Sequence, residues 1–154
     1  MRRSEREIKD IDEIEQILKT AKVCRISMVE DGKPYLVPLN FGYQDKAIYV
    51  HSAKSGRKIE ILKKNNNVCF EVDIDSVIVE GERACDYSAR YKSVIGFGKA
   101  IFIEEEAQKM KALDILMGQY VKDGPATHVY SQKDVERIEV IKIAIDEMTG
   151  KKSG

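Results

Sequence analysis

Residues 48–58 combine side chains and a turn that could hold a phosphate group. A predicted strand ends in His51 and Ser52, a Ser-Gly pair opens a predicted helix, and Arg57 and Lys58 fall in its first turn. Backbone N–H groups at a helix start favour an anion, whereas cations in that turn are locally unfavourable. Arg57 can bind phosphate oxygens bidentately, Lys58 as a point charge and Ser52 through its hydroxyl. This pattern indicates a phosphate site; the alternative is two ordinary solvated cations.

A proline interrupts the predicted strand before this segment. Pro38 lies within the run at residues 35–43 and cannot donate a ladder hydrogen bond, which predicts an edge strand or a gap in the pairing. A planar ring could lie against such a strand and bond its backbone. Asn40 shares the face of Pro38 by the two-residue period and could bond the ring, or it could be a buried asparagine satisfied by nearby backbone.

Two more polar side chains could belong to the same site. His51 shares a strand face with Tyr49 beside the predicted phosphate site, so it could contact a cofactor or transfer a proton; a structural hydrogen bond is the alternative. Ser93 lies in a predicted strand whose Gly96 and Gly98 indicate a bulge or a close backbone approach. Ser93 could therefore reach a ligand across a subunit boundary.

Composition and motifs exclude several classes of protein. Lys plus Arg and Asp plus Glu both number 26 among 154 residues, and this zero net charge argues against a general nucleic-acid binder. No apolar run approaches the ~20 residues of a membrane helix and the start has no secretory pattern, so we expect a cytoplasmic protein with no membrane partner. The three cysteines, Cys85 included, are predicted to be reduced and packed, with no metal site. No dinucleotide, P-loop, zinc-protease or serine-esterase motif occurs.

Hydrophobic periodicity predicts one domain, residues 1–154, of the α+β class. Helices are predicted after Asp10, which with Glu13 suggests a capping box, from near Ser55-Gly56 through Leu62, and at residues 107–117. Strands are predicted at residues 23–29, 35–43, 47–52, 68–74, 89–103 and 141–145. A loop or excursion that contains Cys85 is predicted at residues 75–88, a loop at residues 120–130, and a solvated, flexible tail at residues 151–154. Short turns predict that the first three strands form an antiparallel meander, and hence a small antiparallel barrel with peripheral helices.

Several segments match one protein family in order. They are residues 1–3, 6–8, 34–41, 48–53, 56–58, 68–72, 91–98 and 149–151. Together they span nearly the whole chain, and in this order they resemble flavin-binding split-barrel proteins related to pyridoxamine 5′-phosphate oxidase. Within that family the resemblance is to the nitroimidazole-resistance branch.

The resemblance implies a mostly β, six-stranded antiparallel split barrel, a homodimer, and FMN at the dimer interface, with FAD as the alternative. The residues that it assigns to the cofactor are Val37, Pro38, Leu39, Asn40, His51, Ser52, Ala53, Arg57, Lys58, Ser93 and Val94. Ser52, Arg57 and Lys58 resemble the phosphate contacts, and residues 37–40 resemble the strand under the flavin ring. Ser93 and Val94 would come from the second subunit. His51 looks like the active-site histidine of the family.

The activity that the resemblance implies is reduction of a small nitro-aromatic-like acceptor, with NADH or NADPH as electron donor. Two alternatives stay open: a flavin-binding or sensor protein without turnover, and a haem-binding relative in which His51 is an axial ligand. The pyridoxamine-phosphate oxidases of the family carry a basic C-terminal segment that has no counterpart here. That absence argues against their oxidase activity.

Overall fold

An antiparallel sheet is the framework of the protein in the computed structural model, which describes residues 3–121, 124 and 128–154. The eight strands are β1 (Glu7–Ile8), β2 (Cys24–Glu30), β3 (Lys33–Leu39), β4 (Gly42–Gln44), β5 (Ala47–Ala53), β6 (Asn67–Val79), β7 (Ser88–Ile103) and β8 (Ile138–Ser153). The helices are α1 (Ile11–Thr20), α2 (Arg57–Lys64), α3 (Glu106–Gly118) and α4 (Gln132–Glu136).

The strand order is β3-β2-β6-β7-β8-β5-β4, and β1 pairs with the end of β8. This mostly β architecture is consistent with a split barrel, but the predicted count of six strands is wrong. The described part of the chain has eight strands, and no ladder joins β3 to β4, so the sheet is open. The count rises because one predicted strand divides in two and because the two-residue β1 is too short to give a periodic signal.

The first three predicted strands do not form a meander. Residues 35–43 divide around Phe41, which is fully buried and donates its N–H to the hydroxyl of Tyr120 at 2.9 Å. Each half forms its own antiparallel hairpin, β2–β3 and β4–β5, and these lie at opposite ends of the strand order. The two-residue turns require positive φ, which is observed at Asp31, Gly32, Asp45 and Lys46.

The segment at residues 75–88, predicted as a loop or excursion, contains the end of one strand and the first residue of the next. β6 continues to Val79 and pairs with the start of β7 after a register shift between Ile74 and Val77. The extension lies outside the core, where Val77 is 57% exposed, so burial imposes no periodic pattern on its sequence. Cys85 lies in a 3-10 turn at its end and is exposed, which makes the predicted packing of this cysteine wrong.

The C-terminal residues belong to the sheet. Residues 151–153, predicted as a solvated tail, complete β8, where Lys151 pairs with Glu7 and Ser153 pairs with Tyr91. Ser153 is buried as a result. The predicted loop at residues 120–130 falls partly outside the described residues, and its described residues form no helix or strand. The short helix α4 was not predicted.

The main core lies between the sheet and helix α1. The spacing of Ile11, Ile14, Ile17 and Leu18 predicts one apolar face of α1. Ile14, Ile17 and Leu18 are buried in one cluster with Phe41 and Phe70, whereas Ile11, the first residue of the helix, is 46% exposed. Each such side chain contributes about 1.5–3 kcal/mol when fully buried. A smaller cluster, which includes Ile103, Leu113 and Val140, joins α3 to β7 and β8.

Helix α1 begins with a side-chain cap, although the predicted capping box is incomplete. Asp10 accepts a hydrogen bond from the N–H of Asp12 at 3.0 Å, while Glu13 pairs with Lys92 and Lys152. Among the described residues, no helix has the length and apolar character needed to cross a membrane.

Candidate functional site

The end of β5 and the start of α2 bring the predicted phosphate-binding residues together. Gly56, at φ 124°, precedes the first helical residue, a backbone angle that residues with a Cβ rarely adopt. No side chain in the described residues caps this helix start, so its first N–H groups are left for water or an anion. Ser52 is half-buried and Ala53 is exposed on the strand before it.

Arg57 connects this helix start to the β2–β3 hairpin. Its Nε donates to Oε2 of Glu30 at 3.0 Å, and its guanidinium carbon lies 4.5 Å from the ring centroid of Tyr35. The sequence pattern predicts that Arg57 and Lys58 attract an external anion. In the structure, Arg57 already has an internal carboxylate partner, Glu30. Both side chains of the ion pair remain accessible, at 54% for Arg57 and 28% for Glu30, so water weakens the pair.

Lys58 is the cation of this turn without an internal partner. The residue is half-buried, and none of the ion pairs among the described residues includes it. Burial lowers the pKa of the Lys58 ammonium, because the charged form loses water without gaining a carboxylate. A bound anion would offset that loss of solvation, which makes Lys58 the better of the two candidates for a phosphate contact.

Strand β3 is an edge of the sheet, as Pro38 predicts. Val37 and Leu39 pack partly against the core, whereas Pro38 and Asn40 are exposed on the opposite face. The alternative of a buried, backbone-satisfied Asn40 is therefore wrong. The β3 edge leaves backbone groups and the Asn40 amide accessible to a ligand.

His51 is exposed near the end of β5, on the strand face that it shares with Tyr49. Tyr49 lines an open cleft of about 820 Å³ between α3 and the outer face of the sheet, together with Ile101, Gln108 and Lys142. His51 comes two residues after Tyr49, about 7 Å further along the strand, and is not itself among the residues that line the cleft. No hydrogen bond to the His51 ring is formed within the described chain, in contrast to the structural role weighed above.

Ser93 and Val94 lie far along the sheet from the phosphate-binding turn. Ser52 pairs with Glu139 of β8, whereas Ser93 pairs with Lys151 of the same strand. The difference from 139 to 151 is twelve residues, or roughly 40 Å of extended strand. Ser93 therefore does not join this site within one chain. The Val94 side chain is fully buried in the main hydrophobic core of the chain, so only its backbone groups could contact a ligand.

Sequence reasoning missed the two partners of Arg57. Glu30 and Arg57 are 27 positions apart, and no local pattern connects them. Tyr35 carried no assigned role, although it comes two residues before the proposed ring strand begins. The pairing depends on how α2 packs on β2, which periodicity within either element does not encode.

The open antiparallel sheet with the edge strand β3 is consistent with a split-barrel protein. The family model for pyridoxamine 5′-phosphate oxidase matches residues 10–152. The chain therefore belongs to the pyridoxamine 5′-phosphate oxidase family, as the resemblance predicts.

Solved structures agree with this assignment. A Bacteroides thetaiotaomicron protein, provisionally named a 5-nitroimidazole antibiotic resistance protein, has 40% identity and a TM-score of 0.83, over 94% of this chain and 85% of that one. An FAD-binding protein from Mesorhizobium loti has 24% identity and a TM-score of 0.70, over 97% and 98%. An FAD and heme binding protein from Mycobacterium smegmatis has 20% identity and a TM-score of 0.86, over 96% and 73%. The last two show the fold alone, and no curated protein matches the chain.

Proposed function

We propose that this protein binds FMN and uses it to reduce small nitro-aromatic-like acceptors, with NADH or NADPH as electron donor. One structural observation carries the proposal. Arg57 joins the uncapped start of α2 to β3 through Tyr35, although β3 and β5 lie on opposite sides of the strand order. The turn proposed to bind phosphate and an accessible strand edge are thereby neighbours, which supports a ligand that has both a planar ring and a phosphate group. The name of the relative from Bacteroides thetaiotaomicron supports the class of acceptor.

The residues present fit the phosphate end of FMN. Lys58 offers an ammonium without an internal partner, Ser52 a hydroxyl, and the first turn of α2 its backbone N–H groups. Arg57 would bind the phosphate either by leaving Glu30 or by contacting Glu30 and the phosphate together, because an exposed ion pair is worth only about 0–1 kcal/mol. A phosphate dianion bound by charge-assisted hydrogen bonds competes well with such a pair.

The ring end fits the β3 edge. Backbone groups of Val37, Pro38, Leu39 and Asn40 would hold the polar edge of the ring, and the Asn40 amide would add one hydrogen bond. When bound, FMN supplies two-electron redox chemistry between a nicotinamide and an acceptor, while the protein supplies position and electrostatics.

His51 is the residue that we assign to proton transfer. His51 is exposed and lies two residues along β5 from Tyr49, which lines the cleft of about 820 Å³, and that cleft is large enough for a small aromatic acceptor. Reduction of such an acceptor consumes protons, and an exposed imidazole can take a proton from water and donate it to the acceptor.

A second copy of the chain would complete the site. Ile95, Phe97 and Ile101 follow Ser93 on the outer face of β7 and are 46%, 50% and 48% exposed, with the exposed Lys99 between the last two. Exposed apolar stripes of this kind mark interaction surfaces. If two copies cover this stripe, Ser93 of each would approach the flavin bound by the other, which accounts for its distance from the phosphate turn within one chain.

The test is an absorbance spectrum of the purified protein with added FMN, recorded anaerobically before and after NADPH, and repeated with NADH. We expect a protein-bound flavin band that bleaches with one donor and returns when a nitroimidazole is added. A flavin band that persists with both donors would favour the sensor alternative. A Soret band after incubation with haemin would favour haem, for which His51 supplies an accessible imidazole.

A further inference from the structure

Three side chains on the outer face of the sheet form a polar group around Ser93. Ser93 pairs with Lys151 across the β7–β8 ladder, and Tyr91 precedes Ser93 by two residues, so the three side chains share one face. The Lys151 ammonium lies 5.6 Å from the ring centroid of Tyr91. All three residues are partly exposed. Tyr91 and Lys151 lie in the segments 91–98 and 149–151 that match the family, and neither has a role in the flavin site described above.

The positive charge of Lys151 is not neutralised within the described part of the chain. None of the ion pairs there includes Lys151. The carboxylates next to it in the sheet are those of Glu7, opposite Lys151 on β1, and Asp73, opposite Ser93 on β6. Asp73 pairs with Arg25 at 2.6 Å instead. The Lys151 ammonium is therefore available to an anion that approaches this face.

The Tyr91 hydroxyl responds to the same charge. Lys151, through hydrogen bonding and charge, lowers the pKa of Tyr91 below its ordinary value of 10, and Arg6 contributes less. Positive charge thus reaches this hydroxyl from β8 and from the turn before β1. A group with several hydrogen-bond donors and a surplus of positive charge favours a negatively charged acceptor.

This group lies on the same face of the sheet as the strand proposed to hold the flavin ring. Pro38 pairs with Arg25 of β2. Arg25 pairs in turn with Glu71 of β6, which pairs with Ile95 of β7, two residues after Ser93. Residues that pair directly across a ladder point to the same side, so one face carries them all. A second copy that covers the apolar stripe on β7 would therefore also cover the outer face of β3.

Lys151 and the ring strand do not meet within one chain. Strand β8 lies four strands from β3 in the sheet, which is roughly 19 Å. That separation is too large for a hydrogen bond between the ammonium and a ring on β3. Only the Lys151 of a second copy, packed face to face on the first, can reach that ring.

The charge of a flavin changes when it is reduced. A hydride from NADH or NADPH carries two electrons and one proton to the ring, and the nicotinamide is oxidised. The reduced ring therefore carries one negative charge, which its polar edge of nitrogen and oxygen atoms shares. A cation beside that edge stabilises the reduced ring more than the oxidised ring.

We propose that Lys151, with Ser93 and Tyr91 beside it, is the group that each copy supplies to stabilise the reduced flavin ring bound by the other copy. Lys151 provides the charge, Ser93 provides a hydroxyl, and the Tyr91 ring contacts the ammonium. This inference rests on the proposed flavin function and on the association of two copies through β7.

The test is the midpoint potential of bound FMN, measured by anaerobic titration against a redox dye. In Lys151→Gln, we expect the preference for reduced over oxidised FMN to fall about tenfold, because one charge-assisted hydrogen bond is lost. For a two-electron couple, that change lowers the potential by about 30 mV. Lys151→Arg keeps the charge and should retain most of the wild-type potential. Lys152→Gln is the matched control, because Lys152 pairs with Glu13 on the other face, and its potential should equal that of the wild type.

A mixed dimer tests whether Lys151 acts on the flavin of the other copy. One chain carries Lys58→Ala and the other Lys151→Gln, at an FMN concentration that the Lys58→Ala homodimer does not bind. The flavin then occupies the Lys151→Gln chain and faces the intact Lys151 of the other chain. We expect the wild-type potential. A potential as low as that of the Lys151→Gln homodimer would overturn the proposal.

Two further results would overturn it: an unchanged potential in Lys151→Gln, or an equal fall in Lys152→Gln. A melting curve for each variant shows that a changed potential does not come from lost folding. FMN binding is measured on the same samples. A wild type that binds no FMN contradicts the flavin proposal as well, whereas bound FMN with an unchanged potential in Lys151→Gln contradicts this inference alone.

Discussion

The guanidinium carbon of Arg57 lies 4.5 Å from the centroid of the Tyr35 ring. This contact joins the start of α2 to strand β3, whereas hydrogen bonding alone would leave β5 and β3 on opposite sides of the sheet. Arg57 also donates to Glu30 at the end of β2. The two halves of the proposed flavin site thus meet through one side chain.

The Arg57–Tyr35 contact should have a measurable energy. Exposed cation–π pairs contribute about 0.5–1 kcal/mol. In a double-mutant cycle of Arg57→Ala and Tyr35→Leu, we expect a coupling of this size from urea unfolding. Tyr35→Leu retains the apolar packing of the ring, so the coupling reports the cation–π contact itself. Additive effects of the two substitutions would contradict the contact.

His51→Ala should separate cofactor binding from turnover. We expect the FMN affinity to stay within about twofold of the wild type, because the phosphate contacts are elsewhere, and turnover to fall about 100-fold or more, as for loss of a general acid. The rate of nitroimidazole reduction under saturating FMN is the measurement. His128→Ala, in the only other histidine of the sequence, is the matched control. Unchanged turnover in His51→Ala would remove this residue from the mechanism.

Phe97→Asp should prevent two copies from associating. Phe97 is 50% exposed in the middle of the apolar stripe on β7, and an aspartate there would be buried without a partner in a dimer. Sedimentation analysis should give a dimer for the wild type and a monomer with weaker FMN binding for the variant. Ile11→Asp, at a residue of 46% exposure on α1, should remain dimeric. If both variants stay dimeric, the interface lies on a different surface.

Two glycines should respond oppositely to alanine. A Cβ at Gly98 would meet the backbone oxygen of Ala144 at the point where β7 and β8 change register, so Gly98→Ala should cost about 1–3 kcal/mol of unfolding free energy. A Cβ at Gly118, in the last position of α3, would meet nothing within 4 Å. Gly118→Ala should therefore stabilise the protein by up to about 1 kcal/mol. Chemical denaturation of both variants checks the contrast, which equal effects would contradict.

Glu13 should make stability depend on pH. Hydrogen bonds from Lys152 and then Lys92 lower the pKa of the Glu13 carboxyl below its ordinary 4.5. A lowered pKa in the folded state stabilises the protein above the unfolded value and loses that contribution as pH falls through the folded value. The difference in unfolding free energy between wild type and Glu13→Gln should thus be largest above about pH 5 and vanish in stronger acid. A difference that grows on acidification would contradict this assignment.

Local patterns in the sequence predicted the elements better than their arrangement. The spacing of Ile14, Ile17 and Leu18 identified the buried face of α1, and Pro38 identified an edge strand, because burial and hydrogen bonding act on those residues directly. The division around Phe41 was missed, since its N–H is satisfied by Tyr120, 79 positions away. The extension at Val77 was missed because a strand that pairs outside the core carries no burial pattern. The end of β8 was missed because residues 151–153 are polar, although Ser153 is buried.

The same limit applies to the candidate site. Ser52, Arg57 and Lys58 are close in sequence, so the turn that unites them was predictable from a single segment. The role of Glu30 as the internal partner of Arg57 was not predictable, because it depends on packing between α2 and β2. That pairing changes the expectation for the site: Lys58, which forms no ion pair within the described residues, is the proposed main phosphate contact.

The most direct test of the flavin proposal is therefore the affinity of Lys58→Ala for FMN, measured by quenching of flavin fluorescence. Lys64→Ala, at the opposite end of α2, is the matched control. We predict that the wild type and Lys64→Ala bind FMN with the same dissociation constant, and that Lys58→Ala binds about tenfold or more weakly, because one charge-assisted phosphate contact is lost. Equal binding by all three proteins, or no binding by the wild type, would contradict the account.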